Sequence, residues 1–320
     1  MNIDQEIIRE QIVLRKRLHR NPELSGGENN TASIIHDFIK KFQPDEVLTE
    51  IGGSGLAVIY SGNQPGPVLM FRCELDALPI AEINTFEHAS VVENVSHKCG
   101  HDGHMAIVAG LAPLLFTKRP SKGKVILLFQ PAEETGQGAR AVIADKKFKG
   151  IAPDFVFALH NLPGYPLKNI LIKEGAFASA SKGMIIKLSG LTSHAAHPEN
   201  GNSPAMAMAE IISQLNGLPA EIKSESFKLV TVVYARLGEV AFGTSPGDAE
   251  VMATLRSFDN EDMHKMVVKG EELVRCISEK YKLKFTIAYT EKFPATENNS
   301  TAIKLVKEAA EKLGYPIQMV

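Results

Sequence analysis

Apolar positions recur at helical spacing in residues 4–20 and again in 29–44, and a turn-rich stretch, NPELSGGE, separates the two. Two amphipathic helices are therefore expected to open the chain. Short β-prone runs follow at 46–51, 56–60 and 68–75, then near-continuous apolar runs at 124–129 and 155–159. Runs apolar on both faces suit central strands of a largely parallel sheet. Helical patterns at about 103–117 and 138–147 lie between them, which reads as an α/β arrangement.

From about residue 180 the rhythm changes. Residues 183–189 read as strand, 203–215 as helix, 229–237 and 249–257 as strands, 260–281 as helix and 282–289 as strand. That order, βαββαβ, is the ferredoxin-like unit. Its ends are expected to lie close together, which suits insertion into another domain. A final helix at about 300–313 would return to the first domain.

Composition narrows the class. At 320 residues, roughly two domains are expected, and 44% hydrophobic with 22% charged residues is the balance of a packed globular protein. Thirty-five basic against thirty-seven acidic side chains give a net charge of −2, which speaks against a nucleic-acid or anionic-membrane partner and for a small substrate. The charged amphipathic start is unlike a secretory signal, and no segment approaches the ~18 apolar residues of a membrane span. Three scattered cysteines, Cys73, Cys99 and Cys276, make no disulfide framework, so a reducing, cytoplasmic setting is expected. Cys73 and Cys276 lie in apolar patterns and read as small buried hydrophobes.

The chemistry concentrates in His97-Lys98-Cys99-Gly100-His101-Asp102-Gly103-His104. Thiol and imidazole are borderline-soft ligands suited to zinc and its neighbours, and a carboxylate can add a hard oxygen or orient an imidazole. Cys99 and His101, two apart, would face opposite sides of a helix, so they are expected to reach one metal from a loop, with the helix starting at about His104. The alternative is a loop of surface histidines with a buried Cys. Gln130-Pro131-Ala132-Glu133-Glu134 directly follows an apolar strand, where a cation would relieve the repulsion of adjacent carboxylates, one Glu serving as ligand and the other as proton carrier. A solvated acid pair at a helix start is the bland reading. His160-Asn161 also follows an apolar strand, and Asp76 ends another, where it would hold a metal-bound group from behind. In the second module, Thr192–Pro198 clusters His194 and His197, the latter read as exposed, and Arg256 either forms an internal salt bridge or captures a substrate carboxylate.

Together these motifs resemble the metallopeptidase family of the aminoacylases and carboxypeptidases, in the branch of hippurate hydrolases, N-acyl-amino-acid amidohydrolases and auxin-conjugate hydrolases. The resemblance runs through His19-Arg20-Asn21-Pro22-Glu23-Leu24-Ser25 with Glu28, Asp76-Ala77-Leu78-Pro79, the Cys99–His104 segment, Pro131–Glu134, His160-Asn161 and Ser193-His194-Ala195-Ala196. It implies a zinc-peptidase-like α/β catalytic domain with a mixed, mostly parallel sheet over 1–178 and 291–320, carrying a ferredoxin-like lid and dimerisation domain at 179–290. It implies two divalent cations (Zn, Mn, Co or Ni), with Cys99, His101, Glu134 and His160 as ligands and Glu133 as general base. His194 would stabilise the oxyanion and Arg256 would grip the substrate carboxylate. The implied activity is hydrolysis of N-acyl amino acids, with dipeptide cleavage as the alternative and a homodimer through the lid.

The sequence departs from the family at Phe242–Asp248, where relatives carry Asn-Val-Ile-Pro. The family's last metal ligand, a C-terminal His, has no counterpart before Val320. The expectation is one cation a protein ligand short, and an alternative reading as a catalytically impaired metal-binding protein.

Overall fold

A computed structural model describes residues 5–320, so the expected helix start at Asp4 lies outside the described residues. The chain divides into two compact units, 1–167 and 168–320.

In the first unit, α1 (Gln5–Arg20) buries Leu14 and Leu18, α2 (Asn29–Ile39) buries Ile34, Ile35 and Phe38, and both pack on a core that includes Val58, Phe129 and Met105. Glu23 starts α2 by accepting the backbone N–H groups of Asn30 and Thr31, two of the donors a helix N-terminus leaves unpaired. The strands are β1 (Glu46–Ile51), β2 (Gly55–Ser61), β3 (Val68–Glu74), β4 (Lys124–Gln130) and β5 (Phe155–Ala158), in the order β1-β2-β4-β3-β5. The sheet is mixed: β1-β2 and β2-β4 are antiparallel, β4-β3 and β3-β5 parallel.

Two local expectations are corrected. Among the described residues β5 is an edge strand, with Val156 52% exposed, because only β3 pairs with it. The helix read at 103–117 is two, α3 (His101–Ala109) and α4 (Leu111–Thr117), joined at Gly110. It begins at His101 rather than His104 because Gly100 takes φ +90°, a left-handed turn that glycine adopts without penalty. A further helix, α5 (Gly138–Ala144), follows β4.

The second unit is built on a four-stranded antiparallel sheet of β8 (Ala180–Ser189), β10 (Lys228–Leu237), β12 (Asp248–Ser257) and β13 (Lys284–Phe293), with α6 (Ala205–Gly217) and α7 (Asn260–Lys280). The chain order is βαββαβ and the sheet order β10-β12-β8-β13, the ferredoxin-like arrangement. Alternate residues of β12 (Ala249, Val251, Ala253, Leu255) enter a core with Ile211 and Leu215 of α6 and Met266 and Val274 of α7. Short strands flank it: β6 (Ile170–Ile172) pairs with β15 (Ile317–Met319), and β7 (Gly175–Ala178) with β14 (Thr296–Asn298), α8 (Ser300–Leu313) lying between β14 and β15. Thr296 faces Ala178 across this pairing. β9 (Ser193–His194) and β11 (Thr244–Ser245) form a two-residue antiparallel pairing. Cys276 on α7 is exposed rather than buried, because α7 turns Val274 and Ile277 to the core instead. Among the described residues no helix is long and apolar enough to cross a membrane.

Candidate metal centre

Strands β4, β3 and β5 are parallel neighbours, so their C-terminal ends share one edge of the sheet, the side on which α/β folds gather ligands. From that edge β3 delivers Glu74 and Asp76, β4 delivers Glu133 and Glu134, and β5 delivers His160 and Asn161; α3 contributes His101 at its start. The turn after β4 needs Ala132 at φ +47°, which costs a non-glycine residue about 1–3 kcal/mol. Buried Glu28 offsets that strain: its Oε1 accepts the Ala132 N–H at 2.8 Å and the Gly26 N–H at 2.9 Å, and its Oε2 accepts the Ser54 hydroxyl at 2.6 Å.

The ligand types converge. The Cys99 Sγ lies 3.3 Å from His160 Nε2. One donor atom from each of Cys99, His101 and His160 falls within 4.8 Å of the others, and the same holds for His101, Glu133 and Glu134. His101 Nδ1 donates to the Asp76 carbonyl at 2.9 Å, which leaves Nε2 with a lone pair facing Glu133 Oε2 at 3.8 Å and Glu134 Oε1 at 3.7 Å. A lone pair opposite two carboxylates is repulsive unless a proton or a cation lies among them. His101 Nε2, Glu134 Oε1 and Asp76 Oδ1 are all buried without a hydrogen-bond partner, a costly state for polar atoms. Soft thiolate, imidazole and carboxylate together suit a divalent transition metal, so the residues fit the metal centre expected from sequence.

The electrostatics agree. Burial disfavours the His101 cation, but the nearby Asp76 carboxylate, 3.6 Å from Nδ1, and the Cys99 thiol outweigh that and push its pKa up to about 11. Hydrogen bonding to Cys99 raises His160 to about 9, and His101 and His160 in turn lower the Cys99 thiol. Burial opposes ionisation of Asp76, yet bonds from His101, Ser25 and the Glu134 N–H bring it down to about 2. Burial raises Glu133, with Arg72 pulling the other way and Glu134 adding to the rise.

Of the residues singled out from sequence, Asp76, Cys99, His101, Glu133, Glu134 and His160 come together in the first unit. His194 and Arg256 belong to the second unit, on β9 and β12, both exposed. Arg256 makes no ion pair among the described residues, which removes the internal salt bridge from its two readings. Exposed His197 meets Glu199 at 3.3 Å, and its ring lies 6.2 Å from that of His194. Asp102 points away from the cluster: it accepts from Arg15 Nε at 3.1 Å and meets His19 Nδ1 at 3.0 Å, tying α3 to α1. Sequence reading missed Glu74, 3% exposed, and gave His104 and Asn161 no role of their own. The available signal was an acid two residues before Asp76, at the end of a strand whose other residues are apolar apart from Arg72.

Protein-family comparison matches residues 70–320 to peptidase family M20/M25/M40. The chain belongs to this family. Among curated M20 relatives, an N-acetylcysteine deacetylase of Bacillus subtilis is 31% identical over 306 residues, covering 95% of this chain and 80% of its own length. A hippurate hydrolase of Campylobacter jejuni is 30% identical over 300 residues, covering 94% and 78%. Among solved structures, a dinuclear metal-binding M20 peptidase of Bacillus subtilis superposes with a TM-score of 0.82 at 29% identity, covering 99% of this chain and 83% of that one. The M20 chain described here is thus a metal-dependent hydrolase of amide bonds, as its motifs implied.

Proposed function

We propose that this M20 hydrolase releases free amino acids from small N-acyl amino acids, with Cys99, His101, Glu134 and His160 as metal ligands and Glu133 as general base. The observation that carries the reading is His101 Nε2, buried without a hydrogen-bond partner and facing both Glu133 and Glu134. Divalent cations held there would polarise the amide carbonyl and lower the pKa of water. Glu133, raised by burial, accepts the proton of the attacking water and returns it to the departing amine. Asp76 fixes His101 through its backbone carbonyl and stays ionised beside it. His194 Nδ1 accepts the Ala196 N–H at 3.1 Å, so its ring proton resides on Nε2, ready to be donated to a developing oxyanion. Arg256, exposed and unpaired, offers a bidentate fork for the substrate carboxylate.

We further read 179–290 as a lid and dimerisation module inserted into a catalytic domain of 1–178 and 291–320; the pairing of β7 with β14 supports insertion, and the outer strands β10 and β13 offer edges for a second copy. Free thiols at Cys73, Cys99 and Cys276 support a cytoplasmic setting. Amino acid release from N-acetyl, N-benzoyl and dipeptide substrates, assayed in parallel with manganese, cobalt or zinc, tests the substrate class. Turnover of dipeptides alone would transfer the assignment to peptide cleavage.

A further inference from the structure

Glu74, His101 and His104 form a third grouping of ligand types, all buried. Its contacts differ in kind from those of the metal centre. Glu74 Oε1 accepts from Arg72 Nη1, and Glu74 Oε2 meets His104 Nδ1 at 2.8 Å. His104 Nε2 meets the Asn161 side chain at 2.8 Å and the Asn161 N–H at 3.2 Å. A guanidinium against the carboxylate and two engaged ring nitrogens leave Glu74 and His104 without a free donor atom for a cation, and neither is among the orphaned atoms, whereas His101 Nε2, Glu134 Oε1 and Asp76 Oδ1 are.

We propose that Arg72, Glu74, His104 and Asn161 form a positioning chain that sets the separation of the Cys99 thiol and the His160 imidazole; this rests on the ligand assignment above. The chain ends on the ligands themselves. The Asn161 carbonyl accepts His160 Nδ1–H at 2.8 Å, which turns the Nε2 lone pair toward Cys99. The Asn161 side chain lies against Gly100, the residue between Cys99 and His101: a Cβ there would fall 2.3 Å from Asn161 Oδ1. Only glycine admits this approach. At its other end Arg72 Nε donates to Gln130 Oε1 at 2.9 Å, so one run of polar contacts joins the ends of β3, β4 and β5 behind the ligands.

The test uses cobalt(II) as the probe. Titrating the full chain with cobalt(II) reads affinity, and the thiolate-to-cobalt absorption band reads the Cys99 bond; Cys99→Ala identifies the band by removing it. Asn161→Ala, at an exposed position that spares the fold, is expected to bind cobalt about 10–100-fold more weakly with a weakened thiolate band. His104→Gln, which keeps polar contacts toward Glu74, is expected to lie between Asn161→Ala and the unaltered protein. Circular dichroism confirms that each variant is folded. Unaltered affinity and band in both variants would overturn the positioning chain while leaving the ligand set standing. A parent protein with no thiolate band would overturn the ligand set, and the chain with it.

Discussion

The two units handle burial of charge in opposite ways. In the first, His19, Glu28, Glu74, Asp76, His97, His101, Asp102 and His104 are all under a tenth exposed. In the second, Asp262 is the buried acid among the described residues, and it is met by Ser224, Lys228 and Lys265. The second unit instead closes an apolar core of strand and helix side chains and keeps His194 and Arg256 at its surface. Burying ionisable groups is costly unless they are paired or bound to metal. Where that cost is concentrated, and where orphaned atoms remain within the concentration, the candidate metal ligands lie together.

The comparison breaks most sharply at Glu133. Glu133→Gln is expected to cut turnover by about 10²–10⁴-fold or more while bound metal, measured by elemental analysis, stays unchanged. Turnover close to that of the parent would remove the proton carrier from the account. Next in size, chelation should abolish activity and lower the melting temperature. At a cation concentration ~1,000 times the Kd, binding stabilises the folded state by about 4 kcal/mol, so calorimetry with and without chelator reads the effect directly.

A smaller effect is expected from the surface of the second unit. Arg256→Ala removes one charge-assisted contact worth about 1.5–3 kcal/mol, so KM should rise ~10–100-fold with bound metal unaltered. Loss of metal in that variant would mean that the two units do not divide labour as described.

The smallest effect sharpens the contrast by pH. Burial works against ionised Glu74 and Asp102, but bonds with His104 and Arg72 in one case, and His19 in the other, win and lower both to about 2, where Asp76 also lies. A carboxyl whose pKa falls on folding stabilises the protein above its ordinary pKa near 4, and that stability is lost as pH drops toward the folded value. In metal-free protein, amides of β3 and β4 should therefore lose hydrogen-exchange protection at a higher pH than those of β8 and β12. Simultaneous loss would contradict this.

Much of this was legible in the residues because the physics was local. The βαββαβ order followed from alternating and helical periodicities long enough to register, as on β12 and α7. Pairings of two to four residues, such as β6 with β15 and β9 with β11, carry no periodicity and were not readable. The candidate ligands stood out by residue type, Glu134 and His160 after strands and Cys99 and His101 at the start of a helix. Their supports did not: Glu28, whose backbone contacts hold the Glu133 turn, and Asn161, packed on Gly100, act through contacts spanning tens of residues in sequence. The edge position of β5 was hidden because apolar composition does not distinguish a strand with two neighbours from one with a single neighbour.

The central claim, that one edge of the sheet gathers a thiolate, two imidazoles and a carboxylate around divalent metal, is tested most directly by X-ray absorption of the zinc-loaded protein. The account predicts a sulfur scatterer at ~2.3 Å that disappears in Cys99→Ala. A spectrum with only nitrogen and oxygen neighbours in the unaltered protein would contradict it.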